Sequence, residues 1–354
     1  MHLIALYTLF YILYIITIFT ISINMNRKFH IAAMLSLVLV LLCSFKADKT
    51  ITIFMIGDST MANKDISGDK QERGWGMMLC NYFDDGIIVD NHAVNGRSSK
   101  SFIDEGRWDV VREKIKPGDY VIIQFGHNDE KPAKDRHTDP GSTFDENLRK
   151  FVRETREKGG IPVLMNSVVR RNFSGSKTAV TDDDLRDNSS KSLAEGDTLI
   201  DTHGAYLISP RNVAKEMNVT FIDANKITHD LEQGLGKEGS KKLHMIFAPG
   251  EQPSLPKGRE DNTHYCIYGA NKVASLLADA LCKKIPQLAK HHICYDIYVS
   301  TTGNGQYSDL QKALDNVPEG KRTTVAITGG RWKKPVVAKG KKVKFVMLRG
   351  ASFE

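Results

Sequence analysis

Four short stretches hold residue types that together could carry out acyl transfer. Gly57-Asp58-Ser59-Thr60 offers a hydroxyl, and Asn95-Gly96-Arg97-Ser98 offers a glycine whose backbone N–H could point into a cleft. Gly126-His127-Asn128-Asp129 offers a side-chain amide, and Asp261-Asn262-Thr263-His264 offers a carboxylate and an imidazole three residues apart. Ester cleavage by a serine needs a nucleophilic oxygen, a base to take its proton, a group that orients the base, and donors for the tetrahedral oxyanion. In that scheme Ser59 attacks, His264 is the base, Asp261 fixes its tautomer, and Asn128 donates to the oxyanion. Taken singly each stretch is weak, because Asp and Ser are ordinary helix caps and Asn-Gly is an ordinary turn. Their order along the chain and their placement beside regular elements carry the argument.

The elements that must position them lie between Thr50 and about Leu288. Five β-rich apolar runs, Ile51–Ile56, Ile87–Val89, Tyr120–Phe125, Ile161–Met165 and Val219–Ile222, alternate with helical patterns, which predicts a parallel sheet covered by helices. Phe144, Leu148, Phe151 and Val152 share one face of a helix over 144–158, and Ala270, Val273, Ala274, Leu277 and Leu281 repeat that spacing near the end. Sites in open α/β sheets form at the carboxyl ends of strands. Ser59 is therefore expected where the first strand turns into a helix, whose N-terminus favours negative charge. Gly96 and Asn128 are expected after the second and third strands, and Asp261 and His264 near one turn before the last amphipathic helix. The polar segment Asn172–Asp197 reads as a surface loop or lid edge.

Charge and composition narrow the partners. The chain carries +7, but residues 1–47 account for +3 and 295–354 for +6, leaving −2 on the segment between, so no nucleic-acid surface is expected there. Within 1–47, the run Leu3–Ile23 has no charge and is long enough to span a bilayer. The run Ile31–Leu42 follows Met25-Asn26-Arg27-Lys28 in the manner of a secretory signal. The reading is translation from Met25 and export, secreted or periplasmic; the alternative is that Leu3–Ile23 is retained and anchors the chain in a membrane. Cys43 stands where a lipoprotein cysteine would, but behind the bulky Leu42. Cys43, Cys80, Cys266, Cys282 and Cys294 lack paired CxxC spacing, and His203, His229 and His244 lack metal-ligand spacing. No metal or organic cofactor is expected, and these histidines read as surface or packing residues. Export would permit a disulfide among the four later cysteines.

Together, Gly57-Asp58-Ser59, Gly96, Gly126-His127-Asn128-Asp129 and Asp261-x-x-His264 resemble the four sequence blocks of the SGNH/GDSL hydrolases. Asn91–Ser98, Phe125–Asp129, Glu260–His264 and Tyr268-Gly269-Ala270 are most similar to the rhamnogalacturonan acetylesterases among them. The resemblance covers roughly residues 50–288. It implies a three-layer α/β/α sandwich with a five-stranded parallel sheet and a triad of Ser59, Asp261 and His264. It also implies an oxyanion hole of the Ser59 and Gly96 N–H groups with Asn128, and an acetylated pectic polysaccharide as substrate. Two other readings stand beside it: an esterase for other acetylated glycans or for lipid and acyl esters, and a non-catalytic carbohydrate-binding protein.

Beyond residue 290 the texture changes. Val299–Leu314, with Thr324–Ile327 and Gly329–Trp332, resembles the opening of pectin methylesterases, where a Gly-rich strand leads into the first coil of a right-handed parallel β-helix. The residues that carry catalysis in that family have no counterpart here, so no second activity is expected. The segment reads as a truncated product or broken frame, with a docking tail as the alternative. The expected organisation is a signal or membrane region at 1–47, an SGNH esterase domain at 48–290, and a truncated pectin methylesterase-like segment at 291–354. Deletion of Tyr295–Glu354 is then expected to leave activity and thermal midpoint nearly unchanged.

Overall fold

The computed structural model describes residues 50–173, 198–302 and 304–354, together with Ile12. The apolar runs near the N-terminus therefore lie outside the described residues except for Ile12, as does the expected loop over 172–197 except for Asn172 and Phe173, both buried. Among the described residues no helix is long and apolar enough to cross a membrane. The elements below all belong to the unit Thr50–Glu354.

The strands β1 (Ile51–Gly57), β3 (Ile87–Asn91), β4 (Tyr120–Gln124), β5 (Ile161–Met165) and β6 (Thr220–Ile222) form a parallel sheet in the order β3-β1-β4-β5-β6. All five predicted strands are present, with ends shifted by one or two residues. Alternation along β1 explains the layering, since successive side chains of a strand point to opposite faces. Ile53 and Met55 join Ile122, Val163 and Met165 under the helices α1 (Trp75–Leu79) and α7 (Ile267–Lys284). Phe54 and Ile56 join Val121, Ile123 and Leu164 on the other face. There they meet α2 (Ser99–Asp104), α3 (Arg107–Lys114), α4 (Thr143–Glu157) and α5 (Ile208–Glu216). Strands buried on both faces must read as continuous apolar runs, and the central strands β1, β4 and β5 do. The helix α6 (Ala224–Gly239) follows β6.

A second, antiparallel sheet was not foreseen from the sequence. It contains β2 (Glu72–Arg73), β8 (Arg259–Cys266) and β7 (His244–Phe247) in the order β2-β8-β7. After the short helix α8 (Pro286–Ala289) come β9 (Ile297–Ser300), α9 (Leu310–Asp315), β10 (Arg322–Thr328), β11 (Arg331–Trp332), β12 (Lys342–Leu348) and β13 (Ser352–Phe353). Here β10 pairs in parallel with both β9 and β12, and β11 with β13, around Val299, Leu314, Val325, Ile327 and Trp332. The segment is folded rather than loose. It also touches the residues after α1: the Tyr295 ring stacks on Tyr82 at 4.9 Å, and Asn81 Nδ2 donates to the Asn304 carbonyl at 3.1 Å.

Candidate active site

The strand order makes β1 the point where the sheet topology reverses, with β3 on one side and β4 on the other. Crevices form outside the carboxyl ends of strands at such a point. Ser59 follows β1, Gly96 follows β3 and Asn128 follows β4, so one topology gathers three of the predicted residues.

Ser59 does not open a helix, contrary to expectation. Chain reversal after β1 is made by Asp58, which is fully buried and whose Oδ1 accepts from Thr60 N at 2.9 Å and Thr60 Oγ1 at 2.8 Å. Its carbonyl accepts from Met61 N and Ala62 N. An aspartate closing its own turn in this way leaves the intervening serine at the bend, half-exposed, with its hydroxyl free for another partner. Burial raises the Asp58 carboxyl above its ordinary range, against the lowering effect of the two Thr60 bonds.

Asp261 and His264 also arrive by a different route from the one expected. They lie within β8 rather than on a turn before α7. Met245 pairs with Asp261 and His244 with Tyr265, so Asn262, Thr263 and His264 bulge out opposite no residue of β7. The bulge is closed by Asp261 Oδ1, which accepts from Thr263 N and His264 N, each at 2.9 Å. Arg171 pins its outer side, Nη1 donating to Asn262 Oδ1 at 2.7 Å. As a result Asp261 Oδ2 meets His264 Nδ1 at 2.8 Å, and His264 Nε2 meets Ser59 Oγ at 2.9 Å. Burial would push the Asp261 carboxyl up, but the bond from His264, the charge of the imidazolium and the N–H groups of His264 and Thr263 hold it well below the usual carboxylate range.

Gly96 sits at φ +75°, a left-handed conformation that disfavours any side chain. Among the described residues, the backbone N–H groups of Ser59 and Gly96 have no protein acceptor. Asn128 Nδ2 donates to the Arg97 carbonyl at 3.2 Å, which ties the amide to the Gly96 turn and leaves its second N–H available. The buried Asp129 carboxylate locks the two loops together: it accepts from Ser99 N at 3.0 Å, from Gly126 N at 3.1 Å and from Thr138 Oγ1 at 3.0 Å. Sequence reasoning gave Asp129 no role, because its partners are scattered over three segments.

His203, expected at the surface or in packing, is in packing. It is buried with Nδ1 2.9 Å from Glu130 Oε2, and His127, Glu130 and His203 bring ligand atoms within 4.8 Å of one another. Arg170 pairs with the same Glu130 carboxylate, and a guanidinium there opposes a second cation. His244 is buried against Glu232 at 2.8 Å. Cys80, Cys266, Cys282 and Cys294 are free thiols.

Residues 55–245 match the GDSL-like Lipase/Acylhydrolase family. The rhamnogalacturonan acetylesterase RhgT of Bacillus subtilis is 39% identical over 233 residues, 66% of this chain and 90% of that protein. The probable rhamnogalacturonan acetylesterase YesY of the same organism is 30% identical over 233 residues, 65% of this chain and 91% of that protein. Among solved structures, the Bacillus subtilis protein YxiM superposes with a TM-score of 0.50 at 25% identity, over 66% of this chain and 57% of that one. A match over more than half of the chain, joined to relatives that it covers almost end to end, establishes that it belongs to the GDSL-like lipase/acylhydrolase family and is a carboxylic ester hydrolase.

Proposed function

We propose that the chain removes acetyl groups from a pectic polysaccharide, rhamnogalacturonan, with Ser59 as nucleophile, His264 as general base and acid, and Asp261 orienting the imidazole. The observation that carries this reading is the unbroken line from Ser59 Oγ to His264 Nε2 at 2.9 Å and from His264 Nδ1 to Asp261 Oδ2 at 2.8 Å. The substrate is supported by the names of the two relatives described above. Attack of Ser59 Oγ on the acetyl carbonyl passes the hydroxyl proton to His264 Nε2 and puts negative charge on the carbonyl oxygen. The free N–H groups of Ser59 and Gly96 and the second Asn128 N–H are the donors for that oxygen. Collapse breaks the bond to the sugar oxygen, which takes the proton from His264 and leaves as a hydroxyl; water deprotonated by the same imidazole then attacks the acetyl-serine, and its proton passes to Ser59 Oγ as acetate leaves.

Two further parts belong to this reading. The parallel pairing of β9, β10 and β12 supports residues 291–354 as the first coil of a pectin methylesterase-like β-helix, without an activity of its own. Export through the N-terminal apolar runs would place the enzyme with a polysaccharide substrate.

The test is acetate release from acetylated rhamnogalacturonan, acetylated xylan and p-nitrophenyl esters of rising chain length, by the unchanged protein and Ser59→Ala. The reading expects the highest kcat/KM on rhamnogalacturonan and its loss in Ser59→Ala. A preference for long acyl chains would overturn the substrate, and an active Ser59→Ala the nucleophile.

A further inference from the structure

The line of bonds does not stop at Asp261. Its Oδ2 also accepts from Arg259 Nη2 at 2.6 Å, and Arg259 Nη1 donates to Glu72 Oε2 at 2.7 Å. The other oxygen of Glu72 lies 2.8 Å from Lys64 Nζ, which in turn donates to Asn95 Oδ1 at 2.6 Å. Asn95 adjoins Gly96 in the turn after β3. Four alternating charges thus connect the carboxylate behind His264 to the turn that carries a free N–H into the same crevice. The Lys64 side chain is only 6% exposed. Arg259 itself lies outside the matched family span and outside the sequence blocks.

We propose that Arg259 is a positioning residue for ester hydrolysis: it holds the Asp261 carboxylate on His264, while Glu72 and Lys64 behind it hold the Asn95–Gly96 turn. The inference rests on reading Ser59, His264 and Asp261 as the triad. The physical reason is a count of donors. Asp261 Oδ1 is occupied by two backbone N–H groups, and Oδ2 is shared between His264 and Arg259. Without the guanidinium, Oδ2 keeps His264 alone and the carboxylate loses one of the four bonds that orient it. Arg259 and Glu72 place charges of opposite sign behind His264, so removing one or the other should act on the reaction in opposite directions. The other charged or titratable groups around His264 are Asp58 from the turn after β1 and His127 from the loop after β4. Arg259 and Glu72 can be changed without altering those two or the reacting atoms.

The experiment is the pH profile of kcat/KM for p-nitrophenyl acetate in Arg259→Met, Arg259→Lys and Glu72→Gln, with fluorophosphonate labelling of Ser59 and thermal midpoints in parallel. The acid limb should move up by about half to one pH unit in Arg259→Met and down by a similar amount in Glu72→Gln, because the two charges have opposite signs. Arg259→Lys keeps the charge and should keep the limb near its original place. Limbs unmoved in both variants, or moved the same way, would overturn the proposal while labelled Ser59 leaves the triad standing. An unchanged protein that resists the fluorophosphonate would remove the triad and the proposal together. Should Arg259→Met fail to fold, Glu72→Gln decides alone: a lowered limb supports the positioning role and an unmoved limb overturns it.

Discussion

Loss of each side chain on the catalytic line should cost a different amount, because each does a different job in the proposed mechanism. His264→Ala removes the proton acceptor and donor, so kcat should fall by on the order of 10⁴-fold or more. Asp261→Asn keeps a polar group in place and should cost less than that, and stopped-flow or steady-state assays of both variants check the ranking. Asn128→Ala removes one oxyanion donor and should lower kcat about 10²–10³-fold with little change in KM. A change confined to KM would make Asn128 a substrate-binding residue instead. Ser59, Asp261 and His264 were legible from the sequence because their types, order and neighbours are unusual in combination. Arg259 and Asp129 were not, since each is bonded to a residue distant in the chain, Glu72 and Ser99 respectively.

At the scale of elements, the site depends on how closely α7 approaches the second sheet. A Cβ built on Gly269 would lie 1.8 Å from the Leu243 carbonyl oxygen, so the first turn of α7 fits only with no side chain there. Gly269→Ala should force α7 away from the residue preceding β7 and cost at least about 1–3 kcal/mol, read as a lowered thermal midpoint. Because β8 leads directly into α7, the same change should also reduce kcat, whereas an unchanged midpoint would show that the helix shifts freely. The five parallel strands and the buried faces of α4 and α7 were visible in the sequence, since burial on both faces demands continuous apolar runs and one helical stripe. The second sheet was hidden. β8 reads Arg-Glu-Asp-Asn-Thr-His-Tyr-Cys, a run with little strand propensity, and it is extended because β2 and β7 pair with it.

At the scale of the whole molecule, the carboxy-terminal segment is joined to the esterase fold by contacts that no local pattern announces. Tyr295 is packed against the main core and stacked on Tyr82, so the expectation that deletion from Tyr295 leaves stability untouched no longer follows. A chain ending at Cys294 should be less stable than one ending at Asp296 by about 1–3 kcal/mol, the value of one buried aromatic ring and its stack. Denaturant titration of the two truncations measures this. Both should keep esterase activity, because Ser59, Gly96, Asn128, Asp261 and His264 all precede the cut; loss of activity in either would make the segment part of the catalytic unit. In the proposed mechanism a single serine hydroxyl, made nucleophilic by His264, carries the acyl group. Its most direct test is fluorophosphonate labelling of the full chain followed by peptide mapping, with acetate release from acetylated rhamnogalacturonan assayed on the same sample. The account predicts one adduct on Ser59, appearing in step with the loss of acetate release and absent in His264→Ala. An adduct on another residue, or full acetate release from protein labelled at Ser59, would contradict it.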